Sequence, residues 1–309
     1  MPGIERSCSV VIPTYGRAVE LERCLDAVAA QDQPALEVII VDNASGDPRI
    51  REIARAHAAI YVEEPRRGLC RARNTGARAA RAEIVAYLDA DSLPEPEWLG
   101  AIAREFVDDR VMAAAGRTIP ITLETEAEML FASLRNRAYE RDARIVLDRT
   151  APHWFEICGF GGIGAGCNMA VRRSAFDVWP GFNERTDRGT PVHGGGEHFA
   201  FFSLVDRGYK VAYTPDAVVR HPYPRTIEEL RRDYLRELSA STAYFTLMLV
   251  EAPRHRGATL RYILEAIRGR RRDWRPGGEY SRPHIVGPER RFLALLMGPL
   301  RYLESRITA

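Results

Sequence analysis

The sequence has almost no lysine, few cysteines and no long apolar run. Lys210 is the only lysine among 44 basic residues, which indicates the arginine bias of a GC-rich bacterial genome. The five cysteines are odd in number and form no CxxC pair, which argues against a disulfide framework or a structural zinc site. The chain has neither the roughly 18 apolar residues of a membrane span nor a signal-peptide pattern at its start. We therefore expect a soluble protein of the cytoplasm.

Excess charge is also absent from the chain as a whole. Its formal net charge is +2, so overall charge does not favour nucleic acid as a partner, and we expect none. With 46% hydrophobic and 28% charged residues, the 309-residue chain can form a full core and shows no signature of disorder. This length suits one large domain or a domain with an appendage.

The first hundred residues alternate between two hydrophobic periods. Short β-branched runs, typical of buried strands, are followed by segments with helical spacing. This alternation predicts an α/β fold with a mostly parallel sheet flanked by helices. Such sheets bind ligands at the carboxyl ends of their strands, and polar residues follow three of the predicted strands there. The four predicted strands are residues 8–14, 36–42, 59–64 and 83–89.

The pattern changes beyond residue 110. We predict a strand at 111–121, a long helical segment at 125–147 and a flexible glycine-rich loop at 159–166. Next come a strand entering a short helix, a helix ending at Gly208, and two extended pieces over 210–224. Beyond Pro224 the chain is predicted to be mostly helical. The helical segments are 226–251, 254–269 and 287–304, and the predicted divisions of the chain are 1–115, 116–224 and a helical C-terminal extension, 225–309.

Two carboxylates one residue apart, Asp89 and Asp91, close the fourth predicted strand around Ala90. Carboxylate oxygens at a strand end can hold a divalent cation and, through it, a diphosphate. A turn that caps the following helix would use the same residues. The position after three βα units favours the cation site.

Other polar residues lie near the same predicted edge. Asp42 and Asn43 end the second strand, where they can bind a base edge or a ribose hydroxyl or close an Asx turn. Thr14, after Pro13, ends the first strand and offers a hydroxyl near the same edge. The guanidinium groups of Arg67, Arg71 and Arg73 match phosphate oxygens, although some of them must belong to solvated faces. Of these three, Arg73 is the strongest candidate.

Six segments together resemble the family 2 glycosyltransferases with the GT-A fold. They are PTYGRAVELERCLDAVAAQ, VDNASGD, RRGLCRARNTGARAA, AYLDADSLPEPEWL, GAGCNMAVRRSAF and DRGYKVAYTPDAVVRHPYP, and they span about residues 8–224. The resemblance implies a nucleoside-diphosphate sugar donor, a hydroxyl acceptor, Mg²⁺ or Mn²⁺, and inversion at the anomeric carbon. It makes 1–115 the nucleotide-sugar-binding half and 116–224 the acceptor-binding and catalytic half of one domain.

The resemblance also implies roles for individual residues. Asp42 matches the aspartate that contacts the nucleoside, and Asp91 is the stronger metal candidate of the acidic pair. His221 matches a histidine that touches metal or phosphate. The implied nucleotide-sugar-binding residues are Pro13, Thr14, Tyr15, Arg17, Asp42, Asn43, Arg67, Arg73, Asn74, Asp89, Ala90 and Asp91, and the implied metal ligands are Asp91, Asp89 and His221.

The general base has two candidates, because the usual Glu-Asp pair of the family is replaced here by Gly196, Glu197 and His198. Counting back eleven residues from Gly208 without a gap places Glu197 on the base. Matching the letters instead places His198 there, and a neutral imidazole is also a competent base. Glu197 is favoured, and helix capping is the non-catalytic interpretation of both.

The remaining features allow more than one interpretation. Residues 254–275 contain eight arginines and only two acidic residues. This composition suggests peripheral contact with the inner side of a membrane or, equally, a solvated helix surface with a dimer contact. Trp154, Phe155 and Trp179 are candidates for a platform that binds the acceptor. Core packing is the alternative interpretation, and it is favoured for at least two of the three. A non-catalytic nucleotide-sugar-binding protein and a nucleotidyltransferase are weaker alternatives for the function. The nucleoside, the sugar and the acceptor are not encoded in any motif.

Overall fold

The computed structural model describes residues 6–139, 141–268 and 285–308. Within these ranges the strands form a single sheet in the order β3-β2-β1-β4-β8-β6-β9-β5, with β7 pairing with β9. The strands are β1 Cys8–Thr14, β2 Glu37–Asp42, β3 Ile60–Glu63, β4 Ile84–Leu88, β5 Leu93–Pro94, β6 Val111–Pro120, β7 Ile145–Leu147, β8 Asn168–Arg172 and β9 Lys210–His221.

The sheet is parallel in its first half and mixed in its second. β1 pairs in parallel with β2 and β4, and β3 with β2, as the βαβ pattern predicts. β8 enters antiparallel between β4 and β6, and β6 and β9 are again parallel. The carboxyl ends of β1, β2 and β4 therefore meet at one edge, where α/β sheets bind ligands. The predicted α/β fold is confirmed.

Helices cover both faces of the sheet and build two cores. α1, α2 and α4 bury their apolar residues on one face, and α3, α7 and part of α8 do so on the other. The second core continues through Leu247 and Tyr262 to Tyr302 near the C-terminus. The helices are α1 Ala18–Ala29, α2 Arg49–Ala56, α3 Leu69–Ala79, α4 Trp98–Ala103, α5 Glu126–Tyr139, α6 Trp154–Gly159, α7 Gly196–Asp206, α8 Ile227–Glu251, α9 Arg256–Ile267 and α10 Pro288–Thr308.

Two predicted elements differ from the observed ones. The helical segment predicted over 125–147 does not reach its end, because Ile145–Leu147 instead pairs antiparallel with β9. The two extended pieces predicted after Lys210 are one strand with a register shift opposite Gly116. A Cβ at Gly116 would lie 2.1 Å from the carbonyl oxygen of Ala217, so only glycine permits this approach. Both strands form because they pair with strands that are distant in the sequence, and such pairing cannot be predicted from a local pattern.

The glycine-rich segment is packed against the sheet and is not the flexible loop that was predicted. Residues 160–164 are buried, and a Cβ at Gly164 would lie 2.5 Å from that of Ala115. Nearby, Phe155 and Trp179 are core residues, whereas Trp154 is only partly buried. The glycines allow the segment to lie directly on β6.

The helix α10 is fixed to α8 through a close backbone contact. Gly298 faces α8, where an added Cβ would lie 1.9 Å from Oγ1 of Thr242 and 2.5 Å from the amide nitrogen of Ala243. The next residue, Pro299, cannot donate a hydrogen bond to the carbonyl of Leu295 one turn earlier. The Thr242 hydroxyl donates to that carbonyl at 2.8 Å. The rotation of α10 about its axis is therefore defined by this contact.

We expect Gly298→Val to lower the free energy of unfolding by about 1–3 kcal/mol, because the added side chain overpacks the helix contact. Urea denaturation followed by circular dichroism measures the loss. Gly257→Val is the control, because a Cβ at Gly257 in α9 has no neighbour within 4 Å. Equal losses in the two variants would contradict the close packing of α10 on α8.

No helix among the described residues is long and apolar enough to cross a membrane. The basic segment predicted at 254–275 is described up to Arg268, and its remainder from 269 lies outside the described residues.

Candidate metal and nucleotide-sugar site

Asp89, Asp91 and His221 converge at the carboxyl end of β4. One ligand atom from each lies within 4.8 Å of the others, with His221 Nε2 at 3.8 Å from Asp89 Oδ2 and 3.4 Å from Asp91 Oδ1. The short strand β5 explains this meeting, because it begins two residues after Asp91 and pairs with β9, with Leu93 opposite Arg220 next to His221. The residues named as metal ligands in the sequence therefore form one cluster.

The orientation of the His221 ring suits metal binding. Its Nδ1 lies 3.0 Å from the carbonyl oxygen of Pro222, and because a carbonyl only accepts, Nδ1 carries the proton of that bond. In the neutral ring the lone pair is then on Nε2, which faces the carboxylates. A backbone carbonyl that accepts from the other ring nitrogen and so fixes the tautomer is typical of metal-binding histidines.

Neighbouring charges shift the pKa values of the residues in this cluster strongly. Burial disfavours the charged form of Asp91, but hydrogen bonding and charge from His221, together with Arg17, lower the pKa of Asp91 well below its usual value. Burial likewise lowers the pKa of His221, and the two carboxylates outweigh it and raise that pKa to about 9. Arg17 forms an ion pair with Asp91 at the open side of the cluster. Burial also disfavours the charged form of Asp89, but His221 and Arg73 lower the pKa of that carboxyl. Both carboxylates are therefore ionised at neutral pH.

Arg73 on α3 is the buried cation of the site. Its side chain is 2% exposed, and it donates to Asp187 Oδ2 at 2.8 Å and to the carbonyl of Gly166 at 3.2 Å. The nitrogen that donates to Gly166, Nη2, is also 3.7 Å from Asp89 Oδ1. A Cβ at Gly166 would lie 2.5 Å from that nitrogen, so this glycine leaves room for the guanidinium.

Asp187 and Arg188 also belong to the site, although no sequence motif predicts them. Asp187 has a positive φ of 77°. Burial, opposed by Arg73, raises the pKa of its carboxyl. For Arg188, desolvation is outweighed by Asp89, Asp187 and Asp91, which raise the pKa of its guanidinium. The Arg188 carbonyl accepts a hydrogen bond from Leu69 at the start of α3. No spacing in TDRGTPVHGGG marks either residue, so only the folded loop identifies them.

The predicted nucleoside side of the site lies beside this cluster, at the ends of β1 and β2. Asp42 is buried, and its carboxylate accepts hydrogen bonds from the Ser45 amide and the Tyr61 hydroxyl, both at 3.0 Å. It borders a cavity of about 360 Å³ between α2 and β3. Thr14, which follows Pro13, is also buried and donates to the Gly16 carbonyl.

Tyr15 and Arg67 form a pair at this edge. The Tyr15 ring is 53% exposed, and the Arg67 guanidinium lies over it, 4.2 Å from the ring centroid. An exposed ring beside a cation can stack on a base and contact a phosphate at the same time. The structure therefore brings these two predicted residues together.

Two predicted ligand residues, Asn43 and Asn74, use their amides to hold loops. Asn43 donates to the carbonyls of Glu64 and Arg66 and accepts from the Gly68 amide at 2.8 Å. Asn74 donates to the Phe182 carbonyl at 2.9 Å and accepts from the Phe182 amide at 2.9 Å. These amides anchor the segments that carry Arg67 and Asp187, and a direct contact with the donor stays a prediction for both.

Glu197 and His198 lie in the first turn of α7, which begins after Gly195 in the left-handed conformation. Both side chains are mostly buried, with Glu197 Oε1 at 3.9 Å from His198 Nε2. Together with burial, the larger cause, the charge of Glu197 raises the pKa of Asp187 and of Tyr244. The carboxylate of Glu197 therefore belongs to the same electrostatic cluster as Arg73 and Asp187. The ring of His198 lies edge-on to Tyr244, with centroids 6.4 Å apart.

Known proteins share this fold. A mannosyltransferase from Pyrobaculum calidifontis, solved in complex with GDP-Man and Mn²⁺, superimposes with a TM-score of 0.58 over all of this chain and 77% of that chain, at 23% identity. That likeness confirms the GT-A type of the fold.

Curated relatives match parts of the sequence. Glycosyltransferase AglE of Haloferax volcanii is 39% identical over 99 residues, 29% of this chain and 32% of that protein. A pre-mycofactocin glycosyltransferase of Mycobacterium tuberculosis is 26% identical over 245 residues, 78% of this chain and 46% of that protein. The chain thus spans less than half the length of these two relatives.

The family model described as "Glycosyl transferase family 2" matches residues 9–179, which is more than half of the chain. The matched region contains β1 to β4, the acidic pair and Arg73, and it covers the first five of the six segments that carry the resemblance in the sequence. The sixth segment, 206–224, lies beyond its end. The chain belongs to glycosyl transferase family 2.

Proposed function

We propose that this protein is a metal-assisted, inverting glycosyltransferase that moves a sugar from a nucleoside-diphosphate sugar to a hydroxyl acceptor. The observation that carries the proposal is the convergence of Asp89, Asp91 and His221 within 4.8 Å at the carboxyl edge of the sheet. Family membership and the GDP-Man complex of the solved mannosyltransferase support a nucleotide-sugar donor.

The residues present fit a divalent cation. Two ionised carboxylates and one imidazole nitrogen whose tautomer is fixed form a mixed oxygen and nitrogen donor set that suits Mn²⁺ and accommodates Mg²⁺. The Mn²⁺ in the solved mannosyltransferase supports this assignment. When bound, the cation acts as a Lewis acid that stabilises negative charge on the departing diphosphate.

The chain's own cations complete the diphosphate side of the site. Arg17 borders Asp91 directly, and Arg67 lies across the Tyr15 ring at the same edge. Guanidinium groups match phosphate oxygens in geometry and charge. Arg73 is enclosed by Asp89, Asp187 and the Gly166 carbonyl, so its role is to hold the loops and the acidic pair in place. The nucleoside is assigned to Thr14 and Asp42.

Transfer with inversion is one displacement at the anomeric carbon. The acceptor oxygen forms a bond to that carbon while the bond from the carbon to the diphosphate oxygen breaks, and the electron pair leaves with the diphosphate. Glu197, whose carboxylate lies at the start of α7 beside the Arg73 cluster, accepts the proton of the acceptor hydroxyl. His198, the neighbouring imidazole, is the alternative base.

Binding of a nucleoside diphosphate and Mn²⁺ together is expected to raise the melting temperature, since a ligand that binds only the folded state stabilises it by about 2.7 kcal/mol at a hundredfold excess over Kd. A thermal-shift panel of UDP, GDP and dTDP with and without Mn²⁺ identifies the nucleoside. Asp91→Asn should remove the Mn²⁺-dependent part of the shift. Asp177→Asn, at an exposed aspartate in the turn 173–177, is the control.

The matching activity assay measures release of nucleoside diphosphate from the nucleotide sugar that corresponds to the best nucleoside. Transfer that is unchanged in excess chelator would contradict the metal site. Tight nucleotide binding without turnover, including slow hydrolysis, would instead indicate a non-catalytic nucleotide-sugar-binding protein.

A further inference from the structure

The helix α10 presents its apolar residues to the outside. These side chains are 37–86% exposed and recur every three or four residues, so they form a continuous stripe along the helix. In a helix that only completes a core, such a stripe faces inward. The stripe consists of Phe292, Leu293, Leu296, Met297, Leu300, Leu303 and Ile307.

The side of α10 that faces the protein is made of smaller or polar residues. Its buried positions are Gly298, Tyr302 and Ser305, and the Tyr302 hydroxyl donates to Glu251 at 2.9 Å. The Gly298 contact and the hydrogen bond from Thr242 to the Leu295 carbonyl fix the rotation of the helix. Turning the stripe inward would break these contacts, so its outward orientation is built into the packing.

α9 repeats the arrangement. Leu260, Leu264 and Ile267 follow the i, i+4, i+7 spacing and are 49–77% exposed, while Thr259 and Tyr262 face inward. The exposed residues Arg261 and Arg268 directly follow Leu260 and Ile267 in the sequence. In α10 the exposed Arg290 and Arg306 likewise lie near the two ends of the stripe. Both helices therefore combine an outward apolar stripe with flanking positive charge.

Charge is divided unequally along the chain. Residues 253–309 contain thirteen arginines and five acidic residues, a net charge of +8, so the preceding residues carry −6 within the total of +2. In the described part of this region, no ion pair within 4.0 Å joins the exposed Arg254, Arg261, Arg268 or Arg290 to a carboxylate. The C-terminal helices thus display a cationic surface on a protein whose remainder is anionic.

We propose that the outward faces of α9 and α10 dock on the surface of an anionic lipid bilayer. Apolar side chains flanked by arginine are the composition of helices that lie in the interface plane, where the apolar stripe enters the acyl boundary and the arginines meet lipid phosphates. A second copy of the same surface would bring two strongly cationic faces together, which charge opposes. The bilayer is the occupant that satisfies both the stripe and the charge.

This docking does not depend on the proposed transfer reaction, because the catalytic residues lie on other elements. Cosedimentation of the intact chain with vesicles, without donor or metal, tests it. We expect binding to vesicles of phosphatidylcholine with about a third phosphatidylglycerol, little binding to phosphatidylcholine alone, and a large loss of binding when NaCl is raised from about 0.1 M to 0.5 M.

Matched variants distinguish the contribution of the stripe to vesicle binding from that of exposed apolar residues elsewhere. Leu296→Ser/Leu300→Ser/Leu303→Ser should weaken vesicle binding at least tenfold. Leu36→Ser/Val107→Ser/Leu123→Ser removes a comparable exposed apolar surface elsewhere and should leave binding unchanged. In the same way, Arg261→Glu/Arg268→Glu should weaken binding at least tenfold, whereas Arg23→Glu/Arg78→Glu, which changes the net charge equally, should have a much smaller effect.

Circular dichroism and melting temperature confirm that each variant is folded, as expected for changes at exposed positions. Equal binding to neutral and anionic vesicles, or equal effects of the stripe and control variants, would overturn the proposal. So would the absence of vesicle binding combined with concentration-dependent dimers that the stripe variant abolishes, because a second copy would then occupy the surface.

Discussion

Replacing Glu197 with glutamine is expected to lower kcat by about 10³-fold, within the range that a positioned general base contributes. Glutamine keeps the shape of the side chain and removes its ability to accept the proton of the acceptor hydroxyl. Because the proposed donor site lies at the ends of β1, β2 and β4, the thermal shift with nucleoside diphosphate and Mn²⁺ should stay close to that of the parent protein. Steady-state release of nucleoside diphosphate at saturating donor measures the effect.

His198→Gln is the matched variant for this experiment. His198 is adjacent in the same helical turn, and its Nδ1 is a buried atom without a hydrogen-bond partner among the described residues. If Glu197 is the base, His198→Gln should lower kcat by about tenfold or less. An inactive His198→Gln together with an active Glu197→Gln would assign the base to His198 and shift the register of the motif by one residue.

The first half of the site could be predicted because parallel strands place their carboxyl ends at one edge. Thr14 and Asp42 are the last residues of β1 and β2, and Asp89 follows β4, so the topology brings all three to that edge independently of the loops. The alternation of strands and helices that reveals this topology is a local property of the sequence. The long helices of the C-terminal region were predicted within a few residues for the same reason.

The second half of the site depends on contacts that a local pattern does not contain. Asp187 meets Arg73 across 114 positions of sequence, and β7 is a strand only because β9 offers it a free edge. Asn43 and Asn74 occupy positions typical of ligand-binding residues, yet their amides secure the loops after β3 and before α7. Buried loop anchors and ligand contacts have the same residue types, so sequence alone does not separate them.

Gly196 and Asp187 show how this chain arranges its buried charge. A Cβ at Gly196 would lie 2.8 Å from Asp187 Oδ2 and 2.5 Å from Cys70 Sγ. Asp187 therefore fills the space that a side chain at position 196 would occupy, and from there it binds Arg73 at 2.8 Å. A carboxylate reaches the guanidinium from the 183–195 loop instead of from α7.

Exchanging the two residues is expected to preserve the ion pair. In a Cys70→Ala background, which removes the sulfur contact, Asp187→Gly should destabilise the fold by about 3–5 kcal/mol, because it leaves the buried Arg73 without its partner. Gly196→Asp alone should also destabilise it, through the clash with Asp187. The combination Asp187→Gly/Gly196→Asp should recover most of the loss, since the short aspartate side chain reaches the vacated position and glycine tolerates the positive φ at 187.

Urea denaturation of the four chains in the Cys70→Ala background measures this exchange as a double-mutant cycle, in which a coupling energy above about 1 kcal/mol marks interacting residues. The dependence of nucleoside diphosphate release on Mn²⁺ concentration is the second readout. A merely structural pair would restore stability without restoring this dependence, whereas an Arg73 that steadies Asp89 at 3.7 Å should restore both. If the double variant loses the sum of the two single-variant losses in free energy of unfolding, the carboxylate at 187 does not act through Arg73. The buried guanidinium would then be held by the Gly166 carbonyl and Asp89 alone.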